Sequence, residues 1–575
     1  MYITHNCGTL RKKNVGEEVI LAGWVKRVRN LGTVSFIDLR DHYGITQLTF
    51  HGKNTLKKKA DKLGREFVIQ VCGKVAERKS KNLNNPTGFI EVVVSKLRIL
   101  SYSKIPPFLI EEKTDGNEDL RMKYRYLDLR RDFIKKKLIA RHKIVLEIRK
   151  YLSENGFLEI ETPLLVKSTP EGARDFVIPS RTNPGQFYAL PQSPQSFKQL
   201  LMIGGIDKYF QIVKCFRDED LRSDRQPEFT QIDCEMSFVE EEDVIKISEN
   251  LINYIFKKIS NCRFAKSFPR ISYKDAIKRY GSDKPDIRFE MIIKELNDVI
   301  PHRNFSNREL IAGISIPGCA KYSIRQLNDI TEWSKLHHIE YRNLTWVKCL
   351  IDGKFQSPLE RFFDKKYFKI FSDRLGAHPG DLLLILSGLD DQTVRRQLGK
   401  IRIEMAERLG LRKTHQFSPI WIVDFPLFEW NEDHKRYNAF HHPFTAPKEE
   451  NIYQKNPEKI IAKSYDLVIN GKEIGGGSIR INKRSIQESI FNLLGFSRKE
   501  ILSKFGFLME AFEYGTPPHG GIAFGLDRLV ALLEGEDSIR DFIAFPKNNS
   551  CRDTMIGTPS DLSDDQLKEL HINVN

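Results

Sequence analysis

The sequence predicts an α+β multidomain protein, and three observations carry that prediction. The first is length: 575 residues exceed what one ordinary core holds, so about two to four domains are expected. The second is the crowding of short alternating strands between residues 18 and 100. The third is a change of texture from 285 to about 415, where helix and strand signals separate before strand-rich sequence resumes.

Composition bounds the class. With 40% hydrophobic and 29% charged residues, the chain reads as a soluble globular protein. Its longest apolar runs, such as DLLLILSGL (381–389), are far short of a bilayer span, and the N-terminus has no apolar signal core. No membrane partner and a cytoplasmic location are therefore expected. Eight scattered cysteines without a CxxC pair argue against a zinc ribbon or a disulfide framework and suit a reducing cytosol. The net charge of +16 fits a polyanion partner, and equally a lysine-rich proteome bias.

The first elements are EVILAGWV (18–25), TVSFIDLRD (33–41) and ITQLTF (45–50). The polar helical piece NTLKKKADKLG (54–64) follows, then EFVIQVCGKV (66–75) and GFIEVVVSKLRIL (88–100). Three strands, a helix and two strands is the order of an OB-fold β-barrel, whose second and third strands commonly present an oligonucleotide-binding face. Arg27, Arg29, Phe36 and Gln47 belong on that face, with Arg78 beyond the fourth strand. An aromatic among arginines allows base stacking with phosphate contact. An alternating strand equally allows Phe36 to be a core residue.

Residues 101–130, broken by PP and DGN, read as a linker, and a helix runs from near Asp132 to about Asn155. GFLEIETPLLVKSTPEGARDF (156–176) is strand-like up to Pro163 and then a Gly/Pro-bearing loop. DKYFQIVKCFRDE (207–219) and PEFTQIDCEMSF (227–238), joined by the charged turn LRSDRQ, form an antiparallel hairpin and not a βαβ unit. Past the looser 285–415 region, IWIVDFPLF, SYDLVINGKEIGGGSIRIN and GIAFGLDRLVALLEG return to strands.

No phosphate loop is present, because each Gly-Lys pair (Lys53, Lys74, Lys354, Lys400, Lys472) lacks a following Ser or Thr. Nor does a GxGxxG open a crossover helix. A nucleotide would have to lie on an antiparallel sheet, gripped by side chains. The hairpin supplies Arg217, Glu219, Arg225, Gln226 and the flat face of Phe229. Arginine suits phosphate because its rigid fork donates two parallel hydrogen bonds. A solvated edge hairpin accounts for the same residues, as a solvated strand rim does for Asp466 and Glu473.

Three stretches carry a family resemblance. FRDED…RQPEFTQID (216–233) resembles motif 2 of the class II aminoacyl-tRNA synthetases. GIAFGLDRL (521–529) resembles their motif 3, and FLEIETPLL (157–165) is similar to motif 1, with Pro163 at its expected place. TPEGARDF (169–176), QSPQSFKQLLM (192–202), HHPFT (441–445) and YDLVINGKEIGGGSIRI (465–481) resemble the aspartyl branch, in its bacterial form, over essentially the whole chain. The resemblance implies an OB-fold anticodon-binding domain at 1–105 and a linker at 106–130. It also implies a class II antiparallel-sheet catalytic domain in two parts, 131–284 and 416–575, around an inserted α+β domain at 285–415.

It further implies a ligase that activates L-aspartate with ATP as aspartyl-adenylate and transfers it to the 3′ end of tRNA(Asp). The alternative is a non-discriminating form that also charges the asparagine tRNA; RNLG (29–32) is closer to the discriminating one. Arg217 would contact the α-phosphate and Arg528 the far end of the triphosphate, both as catalytic residues. Asp218, Glu219, Gln226, Phe229, Glu473, Gly525, Leu526 and Asp527 would complete the ATP site, with Glu219 and Gln226 beside adenine and Phe229 under its ring. Asp466 and Glu473 would hold Mg²⁺, which prefers hard oxygen ligands shared with substrate phosphates. Arg480 and Lys198 would read the aspartate side chain, and Asp233, Gln195 and Ser193 its ammonium. His441 would be a further aspartate ligand, His442 structural, and the Glu171 loop a lid turning at Gly172. In the barrel, Phe36 would stack on an anticodon base while Arg29 and Gln47 read nearby groups. Around Glu77–Lys81 the likeness weakens, which leaves Arg78 unassigned. A homodimer is implied because motif 1 lies at the subunit interface in this family.

Overall fold

The computed structural model describes residues 1–52, 54–169, 172–222, 224–300, 309–339, 343–451 and 456–574. The chain divides into two compact units, Met1–Ile139 with Ala544–Ser560, and Ala140–Ile543 with Asp561–Asn575.

The first unit contains a closed barrel of strands β1 (Glu18–Leu31), β2 (Val34–Arg40), β3 (Ile45–His51), β4 (Val68–Glu77) and β5 (Ile90–Ser101), in the order β1-β2-β3-β5-β4. Helix α1 (Thr55–Ala60) sits between β3 and β4, its N-terminus capped by the Asn54 side chain, which accepts from the Lys57 N–H. Alternation explains the closure: Leu21, Val25, Ile37, Leu39, Leu48, Phe50 and Val71 point inward and fill the core. Phe36 lies half-buried outside that core, its ring 5.9 Å from the Arg29 guanidinium. Arg29 donates to Asp38 (2.8 Å) and Gln47 (3.1 Å), and Gln47 donates to Glu91 (2.8 Å) on β5. Gln47 is only 7% exposed, so it braces Arg29 from beneath and does not project from the face. The 106–130 segment is more than a tether: it carries short helices at Glu118–Lys123 and Arg125–Asp128. Asp128, fully buried, accepts from Arg125 (2.6 Å) and Arg131 (2.7 Å).

The second unit is organised by an eight-stranded sheet. In chain order its central parts are helix α2 (Gln195–Ile203), strands β6 (Lys208–Phe216), β7 (Glu228–Ser237), β8 (Ser464–Ile469), β9 (Lys472–Ile479) and β10 (His519–Gly525), and helix α3 (Leu526–Leu533). The sheet order is Arg270–Ser272, Pro419–Val423, β8, β9, β10, β7, β6, Leu158–Glu159. All pairs are antiparallel except the two at the edges, which makes the sheet mixed. Beneath it, Ile144, Ile148 and Leu152 of the helix Asp132–Glu154 join Leu251, Ile252 and Ile255 and the apolar side of α3 in the main core. Strand β7 shows how the two faces differ. Ile232, Cys234 and Met236 enter the core, while Gln231, Asp233 and Glu235, two apart, point to the other face.

A separate five-stranded antiparallel sheet lies within 294–388, ordered Lys294–Glu295, Leu310–Ile316, Leu382–Gly388, Leu344–Cys349, Phe355–Gln356. Its central strand explains the apolar run at 381–389. Leu382, Leu384 and Leu386 pack against the helices Ile324–Leu336 and Asp391–Arg408, and Leu383 and Ile385 against Lys365–Leu375 on the opposite face. Among the described residues, no helix is long and apolar enough to cross a membrane.

Candidate active site

The open face of the eight-stranded sheet holds a cleft of about 860 Å³ joined to a smaller one of about 200 Å³; Arg217, Glu219, Gln231 and Glu473 line both. Strand register builds its floor: Asp466 pairs with Gly476, Gly476 with Ala523, and Ala523 with Asp233. Two small residues thus separate two carboxylates along one row. A bulge where β8 passes from Leu467 to Val468 lets Ile474 enter the core and turns Glu473 to the face of Asp466. At Gly476 a Cβ would lie 2.5 Å from Asp466 Oδ1 and 3.9 Å from Glu473 Oε1, so both carboxylates converge on one cradle. Buried side-chain atoms without a hydrogen-bond partner, among the described residues, include Arg217 Nε, Asp233 Oδ2, His441 Nδ1 and Asp466 Oδ1. All four belong to residues lining the large cleft. Orphaned buried polar atoms are costly in a folded chain, and their concentration here marks a ligand site.

One end of the cleft is a buried ionic network. Lys198 donates to Asp233 (2.7 Å) and approaches Glu235 at 3.2 Å. Arg480 donates from Nε and Nη2 to the two oxygens of Glu235 (2.9 and 3.1 Å), and from Nη1 to Ser478 Oγ (2.6 Å) and His442 Nε2 (2.7 Å). A guanidinium has five N–H groups and an ammonium three. Among the described residues these contacts therefore leave one N–H on Arg480 Nη2 and one on Lys198. Burial favours the neutral acid at Glu235, but Arg480 and Lys198 outweigh it and hold the carboxyl down at about 2. At Asp233, burial prevails over Lys198 and raises the carboxyl. Burial, reinforced by Arg480, pushes His442 well below its ordinary range, so it stays neutral and accepts from arginine. His442 is thus a brace for Arg480, and Glu235 is a site residue that the motifs do not name. Gln195 is buried and donates to Gln199 (3.2 Å), and Ser193 lines the same cleft. Gln192 pairs with both backbone groups of Ala173 (2.8 and 3.0 Å), anchoring the loop just after Gly172.

At the other end, Arg217 lies 5.1 Å from the centre of the Phe229 ring, and Gln226, Gly525 and Arg528 line the smaller cleft. Glu219 accepts from Arg225 (2.9 Å), which gives that arginine a structural duty. Arg528 donates to the carbonyl of Glu473 (3.3 Å) and lies 3.4 Å from Asp224. Burial raises the Asp466 carboxyl, with His441 Nε2 standing 3.5 Å away. Burial opposes ionisation of Glu473 too, but Lys284, at 2.9 Å, and Arg528 outweigh it and lower that carboxyl.

Three expected residues are not brought in by their side chains. Leu526 is buried in the main core, because the first turn of α3 points it inward. Asp527 touches the smaller cleft, but its carboxylate is committed to Arg141 and to the Thr230 N–H (2.9 Å), tying α3 to β7. Asp218 turns outward, bridging through its backbone to Arg174. Glu171 lies outside the described residues.

Comparison with known proteins agrees with this geometry. Residues 117–549 match the family described as tRNA synthetases class II (D, K and N), and 19–100 match the OB-fold nucleic acid binding domain. An aspartate–tRNA ligase of Flavobacterium psychrophilum is 54% identical over 583 residues, covering 100% of both chains. One from Porphyromonas gingivalis is 53% identical over 580 residues, covering 100% of this chain and 99% of its own. The solved asparaginyl-tRNA synthetase of Pyrococcus horikoshii, complexed with asparaginyl-adenylate, shares the fold with a TM-score of 0.58. It is 20% identical and covers 94% of this chain and 97% of its own. The chain belongs to the class II tRNA synthetases of the D, K and N group and, within it, to the aspartate–tRNA ligases. It is an ATP-using ligase that acts on aspartate and tRNA.

Proposed function

We propose that the sheet-face cleft joins L-aspartate to ATP at two ends of one site and then delivers the aspartyl group to the 3′ end of tRNA(Asp). The observation that carries this reading is the donor accounting at Lys198 and Arg480. Each keeps one N–H, and a side-chain carboxylate has two oxygens to receive them. Asparagine would turn an NH₂ toward one of those donors and leave a buried cation unmatched, and sites paired in this way reject the wrong analogue by ~10⁴ or more. Asp233 Oδ2, without a partner among the described residues, suits the ammonium, with Gln195 and Ser193 beside it and His441 on the aspartate side.

With the amino acid so held, its α-carboxylate needs no base; an oxygen attacks the α-phosphorus while pyrophosphate departs. Arg217 Nε supplies a donor for the α-phosphate, and Arg528 grips the β- and γ-phosphates from its anchor on Glu473. Adenine stacks on Phe229 between Glu219 and Gln226, and the backbone at Gly525 leaves room for it. The carboxylates that converge on Gly476 fit Mg²⁺, which binds through one or two carboxylates plus substrate phosphates. Among the described residues no cluster of three or more His, Cys, Asp or Glu could hold a metal, so the phosphates would complete the shell. Once bound, Mg²⁺ would neutralise phosphate charge.

The barrel, taken as 1–105, reads the anticodon with Phe36 as the stacking face and Arg29, braced by Gln47, beside it. The remaining divisions, a linker at 106–130 and catalytic parts at 131–284 and 416–575 around an insert at 285–415, belong to the same reading. So do a cytoplasmic location, favoured by eight cysteines that are all thiols, and a homodimer, favoured by Leu158, Leu164 and Leu165 of motif 1, each 45–56% exposed on a single chain. Light scattering tests the last. Aspartate-dependent ATP–pyrophosphate exchange tests the activation step; a silent assay overturns it. The names of the full-length relatives do not favour the form that charges both tRNAs, and equal charging of purified aspartate and asparagine tRNAs would reinstate it.

A further inference from the structure

Lys284 stands in the loop GSDKPD (281–286), just after the helix Tyr273–Tyr280, and belongs to none of the motifs that define the site. Its Nζ lies 2.9 Å from Glu473 Oε2 and 3.8 Å from Asp283. Glu473 is a hub with three outlets. Its backbone carbonyl receives Arg528 (3.3 Å), its Oε1 faces the Gly476 cradle shared with Asp466, and its Oε2 holds Lys284. The arginine assigned to the outer phosphates and the Lys284 ammonium are therefore anchored on the same residue. Lys284 is not consumed by that contact: an ammonium has three N–H groups, and its side chain is 38% exposed. A triphosphate carries more negative charge than Arg217 and Arg528 can balance, and lysine on a four-carbon stem is a compact, mobile point charge for phosphate.

We propose that Lys284 is a further residue of the nucleotide site, orienting the Glu473 carboxylate toward the cation cradle and taking the β- and γ-phosphates, later the pyrophosphate leaving group, as its own anionic ligand. This rests on the assignment of Arg528 and Glu473 to the nucleotide end of the cleft. The test uses the full chain with Lys284→Ala and Lys284→Arg. Pyrophosphate binding is titrated calorimetrically in EDTA, where only the protein's own cations can hold it, and KM values for ATP and aspartate are taken from exchange. Lys284→Ala should weaken pyrophosphate binding and raise the KM for ATP, each on the order of tenfold, and leave the KM for aspartate unchanged. Lys284→Arg, which keeps the charge, should recover most of the pyrophosphate affinity. Unchanged pyrophosphate affinity in Lys284→Ala overturns the proposal, as does a parallel loss for ATP and aspartate with a lowered melting temperature. An unsubstituted chain that performs no exchange sinks the underlying assignment instead, and the calorimetric arm remains readable without catalysis.

Discussion

Replacing Arg480 with leucine separates recognition from stability in a way the ionic network makes calculable. The substitution removes the one N–H that Arg480 holds in reserve, a charge-assisted hydrogen bond worth ~1.5–3 kcal/mol, so kcat/KM for aspartate should fall at least ~10- to 150-fold. It also strips Glu235, 0% exposed, of its bidentate partner and leaves Lys198, at 3.2 Å, as its ion-pair partner among the described residues. Breaking one side of a buried pair costs ~3–5 kcal/mol, a large share of the ~5–15 kcal/mol that holds an ordinary fold together. The second variant is therefore Arg480→Leu with Glu235→Gln, which removes the stranded charge. Its melting temperature should recover, whereas its aspartate activation should not. ATP affinity, governed at the far end of the cleft, should be retained in the double variant. Aspartate-dependent ATP–pyrophosphate exchange, thermal unfolding and equilibrium ATP titration read the three quantities. The reasoning fails if Arg480→Leu activates aspartate within about threefold of the unsubstituted chain, or if the double variant regains activation.

Three further substitutions probe other parts of the molecule. Phe36→Ala should weaken tRNA charging by the ~1–3 kcal/mol of one stacked base while pyrophosphate exchange is spared; collapse of both would return Phe36 to a structural role. Gly476→Ala places a methyl 2.5 Å from Asp466 Oδ1, so it should displace that carboxylate and weaken Mn²⁺ binding measured by electron paramagnetic resonance; unaltered Mn²⁺ binding would remove the cradle from the cation site. Asp527→Asn takes a charge from the acceptor of Arg141 and Thr230, and should cost ~1–3 kcal/mol of stability with a higher KM for ATP; a KM change for aspartate alone would contradict the tie between α3 and β7.

The barrel was legible because its strands alternate, and alternation is dictated by which side faces a core. Gln47 shows the boundary of that logic. Period two puts it on the outer face, but its burial depends on Glu91, 44 residues away on a strand parallel to β3. Glu235 was legible in principle, since Gln231, Asp233 and Glu235 form a polar row at period two beside the apolar Ile232, Cys234 and Met236 of the opposite face. What hid it is that motif 2 ends at Asp233. Leu526 and Asp527 travel with Arg528 in the motif, and only the direction of the first turn of α3 tells which of the three faces the cleft. Lys284 sits in a loop, where no periodicity predicts where a side chain goes.

The return of Ala544–Ser560 to the barrel unit, where the Ala544 carbonyl receives Arg125 Nε at 2.9 Å, bears on how the molecule is made. A ribosome releases Met1–Ile139 early, but the last piece of that unit emerges roughly 400 residues later, or ~20–80 s at 5–20 residues per second. Through that interval the short helix Arg125–Asp128 lacks the carbonyl that receives Arg125. The barrel strands β1–β5 close on one another without that segment, so a fragment ending near residue 105 keeps its closed sheet, whereas one extended through Arg125 loses the Ala544 contact.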